Sequence, residues 1–250
     1  MRSTSQEQGS PVPAQERTLA DGGRAVHARP ASPRGAVLLL TEAFGLNAHF
    51  VELTERFAAA GYEAITPDLH QGATYAYGDL PGALAHLRRL DEGAAMARVG
   101  AALDALGRPA DQVALVGFCL GGRLAFRGAA ELADRVGAAV CFYGGGIAPA
   151  QDPFGRPGLL PLAAAIRCPL RLWYGGQDAL IRPDEHGRIA QALGEAGVAY
   201  TLSVIPAATH GFFCALRASH HPGAAAQAWA GTLDFLDATL AGPRVGSATS

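Results

Sequence analysis

Short apolar runs recur along the chain and alternate with longer stretches in which apolar residues return every third or fourth position. Residues 36–41 (AVLLLT) are almost continuously apolar, which predicts a strand buried on both faces. Residues 47–60 then set Phe50, Leu53, Phe57 and Ala60 on one helical face and stop at Gly61. Residues 62–66 predict the next strand, closed by Pro67-Asp68. Residues 71–82 read as a loop, and 84–106 as an Ala/Leu/Arg helix interrupted near Gly93. Further strands are expected at 113–117, 138–143, 170–174 and 200–205, with helices at 120–132, 183–196 and 224–240. Upstream, residues 18–29 hold Asp21-Gly22 between short mixed runs, which predicts a hairpin at a sheet edge.

Strand and helix patterns alternate to the end of the chain, with no repeat and no linker. That order predicts an α/β fold with a mostly parallel sheet covered by helices on both faces. The expected organisation is one domain over residues 17–240, with flexible tails at 1–16 and 241–250. In open sheets of this kind the site lies beyond the carboxyl ends of the strands. Four chemically capable residues fall there: Glu42, Cys119, Asp178 and His210.

Composition narrows the function classes. Apolar residues make up 49% of the 250 residues and charged residues 17%, as in a folded globular protein. Lys+Arg 20 against Asp+Glu 22 leaves a formal charge of −2, without the basic surplus of a nucleic-acid partner. No apolar run reaches the roughly 18 residues of a membrane span. Residues 1–17 lack the apolar core of a secretory signal. The four cysteines (Cys119, Cys141, Cys168, Cys214) are widely spaced and form no C-x-x-C pair, so a reducing cytoplasm is the expected compartment.

The segment Gly117-Phe118-Cys119-Leu120-Gly121 follows a strand and opens a helix. It has the G-x-nucleophile-x-G pattern of a nucleophile elbow, with Cys in place of Ser. Glycines flank such a turn because side chains there would collide with neighbouring backbone, and Gly122 lets the helix sit close to the sheet. The head of the helix favours a thiolate and a developing oxyanion. A free cysteine is often simply a small buried residue; the glycines and the strand-to-helix position favour the nucleophile. Asp178 and His210 follow in the order expected for this elbow. His210 would handle the thiol or leaving-group proton, with Asp178 fixing its tautomer. Asp178 in Gly-Gln-Asp also has a plainer reading as the cap of a turn. Glu42 could equally be a strand-end carboxylate making a structural contact.

The chain resembles the dienelactone hydrolase family of the α/β-hydrolase superfamily. The matching pieces are residues 41–47 (TEAFGLN), 67–69 (PDL), 117–122 (GFCLGG), 175–178 (GGQD), 210–212 (HGF) and 232–236 (TLDFL), which together span the folded part. The resemblance implies a Cys119–His210–Asp178 triad. It also implies that Glu42 lies near the thiol and takes its proton when substrate binds, and that the Ala43 and Leu120 N–H groups form the oxyanion hole. The family holds a substrate carboxylate with arginines, one of them four residues after the histidine. That position is Cys214 here, and 71–82 has no arginine, so Arg217, Arg88 and Arg89 are the remaining candidates. Tyr143, Cys214 and Phe212 are candidate substrate-binding residues, and Tyr75 and Tyr77 could line an apolar pocket. His220-His221 lacks the surrounding ligand spacing of a metal site.

The expected activity is hydrolysis of a small-molecule lactone or ester through an acyl-thioester on Cys119, without metal or organic cofactor, and with neither nucleic acid nor membrane as partner. Acyl transfer by the same triad and non-catalytic small-molecule binding are the alternatives.

Overall fold

A computed structural model describes residues 12–240 of the chain. Eight strands form one sheet: β1 (Gln15–Thr18), β2 (Arg24–Ala28), β3 (Ala36–Leu40), β4 (Glu63–Pro67), β5 (Val113–Phe118), β6 (Ala138–Phe142), β7 (Leu170–Gly175) and β8 (Tyr200–Ile205). Their spatial order is β1-β2-β4-β3-β5-β6-β7-β8. β1 and β2 run antiparallel to their neighbours, and every pair from β4 to β8 is parallel. Every residue of β3, β5 and β6 is buried, which requires cover on both faces. Six helices provide it: α1 (Ala48–Ala59), α2 (Leu80–Leu87), α3 (Glu92–Leu106), α4 (Leu120–Glu131), α5 (Pro183–Glu195) and α6 (Pro222–Thr239). No helix among the described residues is long and apolar enough to cross a membrane.

α1 buries Phe50, Leu53, Thr54 and Phe57 at helical spacing. It stops because Gly61 takes φ 91° and the Tyr62 N–H returns to the Phe57 carbonyl at 3.1 Å. Phe57 packs on Trp229 of α6, with ring centroids 4.7 Å apart, so α1 and α6 share one face.

The structure departs from the sequence expectation in three places. β1 begins at Gln15, inside the stretch expected as a tail, because residues 15–18 pair with 24–27 across a turn longer than Asp21-Gly22. Residues 1–11 and 241–250 lie outside the described residues. The expected loop at 71–82 ends early: Asp79 accepts the Gly82 N–H at 3.0 Å and starts α2, with Pro81 tolerated in its first turn. The helix expected at 84–106 is interrupted, but before Gly93 rather than at it. The break falls at 88–91, where the Asp91 carboxylate takes the Gly93 and Ala94 N–H groups and starts α3 afresh.

At the edge of the sheet remote from the carboxyl ends of its parallel strands, Glu63 is buried beneath a histidine and two arginines. It accepts from His27 at 2.9 Å, Arg29 at 2.6 Å and Arg108 at 2.8 Å. Burial alone would raise its pKa, but these three bonds bring it down to about 2. The folded value lies below the ordinary carboxylate value, so the group stabilises the fold fully above about pH 4.5 and loses that contribution as pH falls towards 2. Glu63→Gln should lower unfolding free energy by about 3 kcal/mol at pH 7, because it removes the buried carboxylate that pairs with Arg29 and with the largely buried Arg108. Chemical denaturation of both proteins at pH 7 and pH 3 should show the gap narrowing at the lower pH.

Candidate active site

The parallel strands end together, and the four residues picked out by position follow β3, β5, β7 and β8 at that edge. The elbow between β5 and α4 is the tightest part. Cys119 has φ 55° and ψ −113°, a conformation that costs a side-chain-bearing residue roughly 1–3 kcal/mol. It is held by the Cys119 N–H to Phe142 carbonyl bond (3.0 Å) and the Gly121 N–H to Thr41 carbonyl bond (3.1 Å). A Cβ on Gly117 would lie 1.8 Å from the Gly121 oxygen, and one on Gly121 would lie 2.0 Å from the Leu40 oxygen. The glycines therefore let α4 approach β3 and β5 closely enough to place Cys119 at its head, partly open to solvent.

His210 presents its ring beside the thiol. Nδ1 lies 2.8 Å from Asp178 Oδ2, while Asp178 Oδ1 accepts the Leu180 and Ile181 N–H groups at 2.8 and 3.3 Å. The carboxylate thus caps its own turn and orients the histidine at once. Nε2 completes no well-formed hydrogen bond among the described residues, but Cys119 is close enough to act on the ring. Burial by itself would lower the His210 pKa; the neighbouring Cys119 and the bonded Asp178 outweigh it and raise the value to about 10.

Glu42 is fully buried. Its Oε1 accepts from Tyr143 Oη at 3.2 Å and Arg217 Nη1 at 3.3 Å, and Oε2 has no partner among the described residues. Burial, and next the Glu42 charge, push the Tyr143 hydroxyl far above its ordinary pKa, so it keeps its proton and donates. Burial works against the Arg217 charge, but Glu42 and then Cys119 more than restore it. The guanidinium lies over Phe44 (5.4 Å) and Tyr77 (5.9 Å). Tyr143 itself has φ 38° and stands edge-on to the His210 ring, 5.1 Å away.

The structure therefore brings Cys119, His210 and Asp178 into one line, and Glu42, Tyr143, Arg217, Tyr77 and Cys214 into a second group beside it. Cys214 is buried next to Tyr77 and Glu42. Phe212 is fully buried and braces Tyr143 from 5.4 Å. Ala43 and Leu120 follow Glu42 and Cys119 directly, and the first N–H groups of α4 have no acceptor within the helix. Tyr75 stacks on His86, and the Tyr75 N–H binds the Phe44 carbonyl at 3.0 Å, holding the 71–79 loop over the site. Arg88 and Arg89 are exposed at the end of α2, with Arg88 over Phe154. The His221 ring caps α6 by accepting the Ala224 N–H at 3.1 Å.

The family resemblance puts an arginine at position 214, which is Cys214 here; of the remaining candidates, Arg217 is the cation in the site. The turns Cys214 N–H to Gly211 carbonyl and Arg217 N–H to Cys214 carbonyl, both 3.2 Å, swing it back over Glu42. The available signal was that Arg217 is the one arginine between His210 and α6.

A mostly parallel sheet with a strained nucleophile elbow and a carboxylate-bound histidine after the last strand defines an α/β-hydrolase. Within that class the chain belongs to the dienelactone hydrolase family, whose model matches residues 24–240, and it is a hydrolase of that family. A Synechocystis protein named, provisionally, a carboxymethylenebutenolidase is 33% identical over 207 residues (77% of this chain, 81% of the relative). The carboxymethylenebutenolidase of Rhodococcus opacus is 30% identical over 217 residues (85% and 83%). A Klebsiella pneumoniae crystal structure, provisionally described as a dienelactone hydrolase, superposes with a TM-score of 0.83 at 28% identity, covering 91% of this chain and 99% of that one.

The His210–Asp178 bond should be visible in solution. In 15N-labelled protein the His210 ring should titrate near pH 10, and in Asp178→Asn the midpoint should fall towards the ordinary histidine value near 6.5. Gly121→Ala should destabilise the fold by about 3 kcal/mol, since the clash is with backbone that cannot turn aside.

Proposed function

We propose that the protein hydrolyses small lactones or esters that carry a carboxylate, with Cys119 as nucleophile. The observation that carries this reading is the 2.8 Å His210–Asp178 bond set beside a cysteine on a strained elbow. The Cys119 sulfur attacks the substrate carbonyl carbon, and the Ala43 and Leu120 N–H groups receive the oxyanion. Its collapse breaks the acyl C–O bond, and the leaving alkoxide takes a proton from the His210 imidazolium. Water, relieved of a proton by His210, then attacks the acyl-thioester and releases Cys119 as thiolate.

Arg217 is the group suited to the substrate carboxylate. In the resting site it serves Glu42. An anionic substrate that draws on the same guanidinium leaves Glu42 buried with less counter-charge, which strengthens its demand for a proton. The Cys119 thiol is the proton source in this reading, so substrate binding and activation of the nucleophile are linked through one arginine. Tyr143 holds Glu42 in place throughout, and Phe212 and Cys214 shape the wall behind it. The name carried by the relatives fits this class of substrate.

Cys119→Ala and His210→Ala should each lower p-nitrophenyl acetate turnover by on the order of 10³-fold or more, with melting temperature unchanged within a few degrees. Wild type should show a stoichiometric nitrophenol burst and an acyl adduct by intact mass. Undiminished turnover in Cys119→Ala removes the proposal, and capture of the acyl group by an added alcohol in preference to water would reassign the enzyme to acyl transfer. Arg217→Met should raise KM for carboxylate-bearing esters by about 10- to 100-fold while neutral acetate esters change little, as expected for a lost charge-assisted bond.

A further inference from the structure

The cluster of buried charges around Glu92, away from the cysteine, is well matched. Arg123, Arg127 and Arg156 all pair with Glu92, while Glu131 also pairs with Arg127 and Asp152 with Arg156. His70 is the contrast. It is 1% exposed, yet neither ring nitrogen completes a well-formed hydrogen bond among the described residues. Burial of a ring so poorly paired costs stability.

His70 follows β4 at the edge where Glu42 follows β3, and the two strands are parallel neighbours. The Asp68 carboxylate fixes the turn, accepting the His70 N–H at 2.9 Å and the Gly72 N–H at 2.7 Å. That turn packs directly on residues 42–45: a Cβ on Gly45 would lie 2.3 Å from the Ala73 oxygen. The His70 ring lies 5.2 Å from the His86 ring of α2, and the Glu42 backbone carbonyl is close enough to act on it. Burial first, then His86, hold the His70 pKa down to about 4 against Asp68 and that carbonyl. At neutral pH the ring therefore carries one N–H, and the carbonyl beside it is an acceptor. The Gly45 N–H reaches the same oxygen at a long 3.2 Å, and a carbonyl oxygen has a second lone pair. The Glu42 carbonyl and the Ala43 N–H belong to one trans peptide, so they point in opposite directions and turn as a unit.

We propose that His70 is a positioning residue for the oxyanion hole. Its ring N–H donates to the Glu42 carbonyl and, with the Gly45 N–H, fixes the peptide plane so that the Ala43 N–H faces the reacting carbonyl. The inference rests on the assignment of the oxyanion to the Ala43 and Leu120 N–H groups. An oxyanion forms there in acylation and again in deacylation, so the same bond serves both steps.

The test compares His70→Phe, which fills the space without a donor, with His70→Asn and His70→Gln, whose amides bring an N–H towards the places of Nδ1 and Nε2. Hydrolysis of p-nitrophenyl acetate by the full chain is followed by stopped flow, and the burst amplitude counts the folded, reactive sites. In His70→Phe the burst rate and the steady-state rate per site should both fall by about 10- to 100-fold, less than the loss of an oxyanion donor itself, with KM within about 3-fold of wild type. One of the two amide variants should keep both rates within about 3-fold of wild type, as expected if an N–H and not the ring is what matters. In wild type at pH 7 the His70 ring should show one slowly exchanging N–H by 15N NMR, a measurement that serves if His70→Phe does not fold. Unchanged rates in His70→Phe, a change in KM alone, equal losses in all three variants, or a His70 N–H in fast exchange would overturn the inference and leave the nucleophile standing, provided Cys119→Ala is inactive. Turnover retained in Cys119→Ala would overturn the nucleophile and this inference together.

Discussion

The close approach of α4 to the sheet is the constraint on which the rest of this molecule depends. The helix starts one residue after β5, and the backbone of Gly121 lies against the Leu40 carbonyl with no room for a Cβ. That contact forces Cys119 into a positive-φ conformation and anchors it through Phe142 and Thr41 on two neighbouring strands. Three strands of the core thus meet at one residue. Their burial holds the strained turn, since relaxing it would separate α4 from β3, β5 and β6 together.

A second dependency concerns buried charge. Glu42 and Arg217 face each other in a space largely shielded from water, and each stands there because the other does. A pair of this kind contributes little net stability, because desolvation cancels much of the attraction. Tyr143, neutral through burial, pins the carboxylate without adding charge. The same residue stands edge-on to His210, so the two groups of the site share one wall. The Glu92 cluster shows the contrasting use of buried ions, in which Arg123, Arg127 and Arg156 are matched by Glu92, Glu131 and Asp152.

Much of this was legible in one dimension. The continuous apolar runs of β3, β5 and β6 announce strands covered on both sides, and the parallel sheet follows from their alternation with helices. A parallel sheet aligns its strand ends, so Glu42, Cys119, Asp178 and His210 were placed together by topology before any distance was known. The glycines of the elbow were readable because their cause is steric and local. The weaker readings were at α2, whose Asp79 cap lies inside a stretch read as loop, at the 84–106 helix, whose interruption is placed by the Asp91 cap rather than by Gly93, and at β1, which begins inside the expected tail.

The amino-acid sequence by itself determined the fold class, the tight strand-to-helix turn at Cys119 and the chain order of Cys119, Asp178 and His210, because each rests on periodicity, local sterics or chain order. Only the tertiary structure decided which cation serves the site. Arg217, Arg88 and Arg89 were all open from the sequence, and two consecutive turns carry Arg217 over Glu42 and leave Cys214 as a buried neighbour. Electrostatic partners are fixed by distances in three dimensions and by exclusion of water, and neither quantity has a local signature along the chain.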